Sequence, residues 1–317
     1  MNRDEEEGWR DLLAVLDRVP FVSGLKRDIA SLASLVYERR APRLMVIGGD
    51  RGRRDALATA LVGAPPAKDN AWNVIEDEGR TLEWAGIDAD FDLRPLLDAH
   101  VPDVVIAFAK SDEAARGLGH HLESLTRAIQ PHDDLKPVAM VFLEDGSTQA
   151  RDATREQLKE ASLSCEIHVD TRALSEAIVP ALPESAQVEG ARALPLATAS
   201  RRAVASSVVR CCSTLAITVA ITPLPLSDIA VLAPLQAMMV TTLAYLSGRA
   251  WDRRTASEWV TSVGVVGGAG LGMRWGAQQI VKLVPGMGSI ASAAIAGAGT
   301  LAVGRSALKY FLDESEP

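Results

Sequence analysis

Cysteine is scarce: Cys165, Cys211 and Cys212 are the only three in 317 residues. Their odd number, the adjacency of two of them and the lack of metal-ligand spacing argue against a disulfide framework and point to a reducing, cytosolic exposure. The opening MNRDEEEGWRD has no apolar core, so it is not read as a signal peptide. Acidic residues thin out toward the rear. Residues 200–317 carry ten Lys and Arg against six Asp and Glu; the other 23 and 35 lie in residues 1–199, so a front of net −12 meets a rear of net +4. The acidic front argues against nucleic acid as a partner, and the basic ends of the rear suit an anionic membrane face. No Ser/His/Asp or Cys/His arrangement stands out. His120, His121, His132, Asp133 and Asp134 have weak metal spacing, because adjacent histidines on a helix point about 100° apart; they read as a solvated helix end and turn.

What is present is ordered in four parts: N-terminal helices over 1–42, an α/β domain over 43–180, a linker over 181–202 and an apolar helical domain over 203–317. In the first part Trp9, Leu12, Leu13, Leu16 and Val19 recur at helical spacing, as do Ile29, Leu32, Leu35 and Val36. Arg39, Arg40 and Pro42 are expected to close the second helix. The second part alternates expected strands (44–47, 80–84, 104–108, 138–143, 166–169) with expected helices (55–62, 92–99, 112–129, 150–161, 172–181). Short continuous apolar runs such as 104–109 suit strands buried on both faces of a parallel sheet, and the alternation predicts an open α/β sheet with helices on both sides. Prolines and small polar residues over 180–200 predict the linker.

Residues 44–63, LMVIGGDRGRRDALATALVG, run from an apolar strand through a glycine turn into a helix that ends at Gly63. That is the setting of a phosphate-binding loop. Against G-x-x-x-x-G-K-[ST], Gly48 takes the first position and Arg53, Arg54 and Asp55 take the last three. The segment resembles the small Era-like P-loop GTPases, by this loop and by the order of the strands and loops beyond it. The resemblance places the family's D-x-x-G metal motif at Glu83-Trp84-Ala85-Gly86. It places the guanine-reading N-K-x-D at Phe142-Leu143-Glu144-Asp145, where only Asp145 matches, and the last guanine loop near Asp170-Thr171-Arg172.

Each departure has a physical cost. Arg53 puts a side chain where a glycine lets backbone N–H groups close on phosphates. Arg54 keeps a lysine's charge without its compact geometry. Asp55 replaces a magnesium-holding hydroxyl with a carboxylate. Asp55 also has its own reading: at a helix start it would accept backbone N–H bonds and fill the anion site from within. Gly48, Gly49, Gly52, Arg53, Arg54, Asp55, Glu83, Gly86 and Asp145 therefore form a vestigial nucleotide site. The expectation is a GTPase-like fold kept without a cofactor; GTP and magnesium enter only if residual binding survives at the anion-friendly turn. The alternative is a divergent GTPase whose slow hydrolysis depends on Glu83.

The rear half reads as two apolar hairpins. Residues 203–222 are apolar apart from Arg210 and small hydroxyl residues. Pro223 and Pro225 break the chain, Ser227 or Asp228 can cap the next helix, and residues 229–246 carry no charge. Residues 259–284 and 290–312 repeat the design around Pro285. Gly264, Gly268, Gly272 and Gly276 share one helix face, and Ser292, Ala296, Thr300 and Gly304 have the same interval. Glycine in a helix interior costs about 1 kcal/mol against alanine, but small residues at every fourth position let membrane helices approach closely. Arg274, Gln278 and Lys282 form a polar stripe on the same helix as the glycines. The spans of 18 to 20 residues sit at the lower edge for crossing a bilayer. Basic residues at the hairpin ends (Arg201, Arg202, Arg249, Arg253, Arg254, Arg305, Lys309) place those ends on the cytoplasmic face. The expected partners are membrane lipid and a protein partner, or a second copy docked through the small-residue faces. A soluble helical interaction module and a pore are the other readings. By its Pro-turn with Asp228, Leu232, Leu235, Gln236 and Met239, and its later turn at Pro285, Gly286 and Gly288, the stretch over about 205–312 resembles the bacterial domain of unknown function numbered 697. That resemblance implies helical architecture and membrane association.

Overall fold

The computed structural model describes residues 23–77, 79–88, 91–109, 138–160, 165–221, 228–249 and 288–313. Its backbone divides into two compact units, one of residues 39–201 and one of residues up to Glu38 together with Arg202 onward.

The first unit is a mixed, mostly parallel six-stranded sheet with flanking helices. Its strands are β1 (Arg43–Ile47), β2 (Trp72–Asp77), β3 (Arg80–Ile87), β4 (Val104–Ala109), β5 (Val138–Leu143) and β6 (Glu166–His168), in the order β2-β3-β1-β4-β5-β6. Only the β2–β3 pair is antiparallel. β1 and β4 are buried almost end to end, as their apolar runs require. Met45, Ile47, Ala85, Ile87 and Val105 pack with Leu96 and Leu97; further along, Ala107, Ala109, Val141 and Leu143 pack with Ala150 and Leu158.

Two expectations change here. β2 lies where the sequence predicts no strand, because WNVIED offers only a brief alternation and two acids; it forms by pairing with β3. The expected strand at 80–84 runs on to Ile87, and its antiparallel pairing with β2 makes the sheet mixed rather than wholly parallel.

The helices of this unit are α2 (Arg51–Val62), α3 (Arg94–Ala99), α4 (Thr148–Glu160), α5 (Thr171–Ala181) and α6 (Glu184–Ala193); α1 (Ser23–Val36) belongs to the second unit. α6 corrects the linker reading. Ala186, Val188, Ala191 and Ala193 are buried, and α6 lies against β3. Arg192 Nε donates to Gly79 O at 3.1 Å. The small alanines that look linker-like permit close packing: a Cβ on Gly190 would overlap Leu182. Arg40, expected to close α1, lies beyond its end, where Nη1 donates to buried Asp103 at 2.8 Å.

The second unit is helical. α1, α7 (Thr198–Ile221), α8 (Asp228–Leu246) and α9 (Gly288–Leu308) are followed by a π turn, Lys309–Asp313. The first turn of α7 still belongs to the sheet unit, where Glu176 in α5 accepts from the N–H groups of Ala199 and Ser200 at 2.8 and 2.7 Å. The small-residue face of α9 packs inside this chain. Ala296 and Thr300 are buried. A Cβ on Gly304 would come within 2.5 Å of Val209 and 3.1 Å of Met239. Gln236 Nε2 donates to Thr300 Oγ1 at 3.0 Å. The helices expected over Trp9–Val19 and 112–129, His120, His121, His132, Asp133 and Asp134, the expected turns at Pro223–Pro225 and Pro285, and the Gly264–Gly276 series lie outside the described residues.

Candidate functional site

The loop after β1 turns on Gly48 and Gly49, both left-handed (φ +89° and +67°). Glycine is needed for space as well as φ: a Cβ on either would approach Phe108 to 2.8 Å. Asp50 is extended and caps α2, accepting from Arg53 N at 3.0 Å. The helix thus starts four residues earlier than the sequence suggests. Asp55 lies in its second turn, 3.6 Å from Arg51 Nε, so the carboxylate at the helix start is that of Asp50.

Arg54 is the centre of the site. Its side chain is fully buried. Nη1 donates to Gly49 O at 2.8 Å and lies 3.4 Å from both Gly48 O and Ile87 O. Nη2 meets Asp88 Oδ1 at 2.6 Å and Asp69 Oδ2 at 3.1 Å. Gly86 makes room: a Cβ there would sit 3.3 Å from Arg54 Nε and 3.2 Å from Asp69 Oδ1. Asn70 completes the group, donating to Asp88 Oδ2 at 2.8 Å and accepting from Asp88 N at 2.9 Å. These hydrogen bonds, from Asn70 first and Arg54 second, hold the Asp88 carboxyl below its ordinary pKa.

The other residues chosen from the sequence fall around this centre or away from it. Arg53 bridges Asp50 at 3.0 Å and Glu144 at 3.2 Å, tying the loop to the end of β5. A Cβ on Gly52 would lie 3.5 Å from Asp50 Oδ1. Asp145 accepts from Ser147 N and Oγ, and Ser147 Oγ in turn accepts from Ala150 N at the start of α4. Glu83 is distant. It pairs with Arg43 at 2.9 Å, where the β1–β3 ladder begins, whereas the loop leaves the far end of the same ladder at Ile47 and Ile87. Four residues of strand place it about 13 Å from that end.

The carboxylates that do face the loop are Asp69 and Asp88, which sequence reasoning misses. Asp88 is hidden because the expected strand stops at Trp84; Asp69 and Asn70 are hidden because β2 has no clear signal. The arrangement is chemically cationophilic. Carbonyl oxygens of Gly48, Gly49 and Ile87 surround Nη1 and two carboxylates meet Nη2, and an anion there would be repelled, whereas a phosphate loop presents N–H groups inward. Among the described residues no three His, Cys, Asp or Glu side chains gather as metal ligands.

Among the described residues one helix, Thr198–Ala220 within α7, is long and apolar enough to cross a membrane; 56% of its window is buried inside the fold. Its exposed side carries Arg202, Ala203, Ser206, Arg210 and Ile217.

No family model matches the chain. It is similar to Magnetosome membrane protein 22 of Magnetospirillum gryphiswaldense, with 32% identity over 118 residues. The match covers 35% of this chain and 59% of that protein, so the chain spans about three-fifths of the length of the curated relative it matches.

Proposed function

We propose that the chain is a membrane-associated pseudo-GTPase: a scaffold or regulator whose α/β unit keeps a GTPase-like outline without nucleotide and presents a protein-binding surface on the cytoplasmic side. The observation that carries this is buried Arg54, whose guanidinium fills the centre of the loop and turns its carbonyl oxygens inward. A triphosphate at that point would have to displace a charge-assisted network and then face Asp69 and Asp88, with Arg51 Nε, 3.7 Å from Asp69 Oδ2, left to offset them. The position of Glu83 weighs against its holding magnesium or supporting hydrolysis at the loop. Membrane association is supported by the apolar character of α7, α8 and α9 and by the name of the relative. Calorimetry of the full chain in detergent, with GTP and magnesium, tests the reading. No heat of binding is expected; micromolar binding lost in Arg54→Ala would overturn it.

A second reading, a soluble helical module, draws on the buried half of α7 and on the outward Arg202, Ser206 and Arg210. Fractionation of lysed cells separates the two. Sedimentation with membranes, resistant to high salt, is expected; recovery of the full chain in the detergent-free supernatant favours the soluble module.

A further inference from the structure

We infer that the segments around Arg54 form a guanidinium cage, that the chain fills it with its own Arg54, and that the filled cage holds the surface segment 64–71 and Asp88 in one conformation. The inference rests on the nucleotide-independent reading of the same loop and adds what keeps its walls in place.

The cage is assembled from parts far apart in sequence. Gly48 and Gly49 end β1, Ile87 and Asp88 end β3, and Asp69 precedes β2. These acceptors lie on two sides of the planar fork: three carbonyls around Nη1 and two carboxylates around Nη2. A lysine ammonium is a single point and does not span both sets. Side-chain-free Gly86 lies beside Nε, as a flat ligand requires.

The cage also reaches the surface. Asp88, held by Arg54, grips Asn70 through two hydrogen bonds; Asn70 N donates to Gly86 O at 2.8 Å and takes a positive φ of 53°. Lys68 N donates to Asn73 Oδ1 at 2.9 Å, carrying the order into β2. Remove the guanidinium and two carboxylates and three carbonyl oxygens lose the donor they share, leaving Asp88 with Asn70 and Asp69 with Arg51 Nε at 3.7 Å. That loss opens the segment. With the guanidinium in place the segment has one conformation, set by the chain itself, so the surface offered to a partner is constant.

Hydrogen exchange of the full chain in detergent reads this directly, on peptides covering 67–71 and 86–88. Arg54→Ala is expected to raise their exchange about tenfold or more, as several charge-assisted hydrogen bonds are lost. Millimolar ethylguanidinium, which supplies the missing atoms, is expected to restore protection, and ethylammonium is not. Unchanged exchange in Arg54→Ala, or equal restoration by both cations, overturns the cage. Should Arg54→Ala not fold, Asp88→Asn keeps the arginine and weakens one wall; faster exchange at 67–71 with α7–α9 unaltered is expected, and unaltered exchange at 67–71 overturns the inference. Adding GTP and magnesium to the wild-type chain separates the two claims. Altered exchange there overturns the nucleotide-independent reading, whereas the variants and the added cations judge the cage.

Discussion

The sheet unit and the helical unit both bury polar groups, and they satisfy them by opposite means. In the sheet unit Arg54 is neutralised by Asp69 and Asp88, 15 and 34 positions away in the chain. Asp103 likewise holds Arg40 and accepts from Arg43 N. In the helical unit Ser213, Thr218, Thr241 and Thr242 each donate to the carbonyl four residues earlier in their own helix. A polar side-chain link that does cross between helices is the uncharged Gln236–Thr300 pair. The first scheme exists only when the tertiary fold is assembled. The second is complete within each helix and holds in lipid as well as in water. The difference teaches that the sheet unit's stability is concentrated in a few ionic nodes, whereas the helical unit's is spread over close packing.

The largest effect is expected from removing a node. Arg54→Met should destabilise the sheet unit by about 3 kcal/mol, because it strands its acidic partners. Urea unfolding followed by Trp84 fluorescence, in a background with the other five tryptophans replaced by Phe, checks this, and an effect below about 1 kcal/mol would erase the contrast between the units. Next comes overpacking. Gly304→Leu forces atoms into Val209 and Met239 and should cost the helical unit about 1–3 kcal/mol, read as a lower unfolding temperature in detergent. Hydrogen exchange at β1 and β4 should be unaltered in this variant. Asp50→Ala removes the α2 cap and should cost about 1 kcal/mol, measured by urea unfolding, while leaving the helical unit as it was. Replacing the Gln236–Thr300 pair by Leu and Val is expected to change helical stability by only about 0.6 kcal/mol, measured by a double-mutant cycle.

The smallest effect is pH-dependent. The folded Asp88 carboxyl titrates below its unfolded value. Its contribution is therefore full above the unfolded pKa of about 3.9 and is lost as pH falls through the lower folded value. Stability of the sheet unit should be flat in this respect from neutral pH down to mildly acid conditions and decline below that range. Asp88→Asn should remove this part of the acid sensitivity, as measured by acid titration of the unfolding transition.

Much of the architecture comes from short-range pattern. The apolar runs at β1, β4 and β5, the turn at Gly48 and Gly49 and the stop at Gly63 are all legible, because each depends on local conformational preference and burial on both faces. β2 and α6 are not. A strand of mixed polarity acquires its state from β3 beside it, and an alanine-rich helix from the groove that receives it.

For the candidate site, the order of residues places Arg53, Arg54 and Asp55 just after the Gly48–Gly49 turn. It did not determine which of them matters. Residue identity along one helix cannot say which side chain points inward, nor which distant carboxylates meet it. Tertiary structure decided that. It moved the capping role from Asp55 to Asp50, set Glu83 at the opposite end of the β1–β3 ladder, and brought Asp69 and Asp88 onto Arg54. The reason is electrostatic: a buried guanidinium is tolerable only where several acceptors converge on it, and that convergence requires the completed sheet.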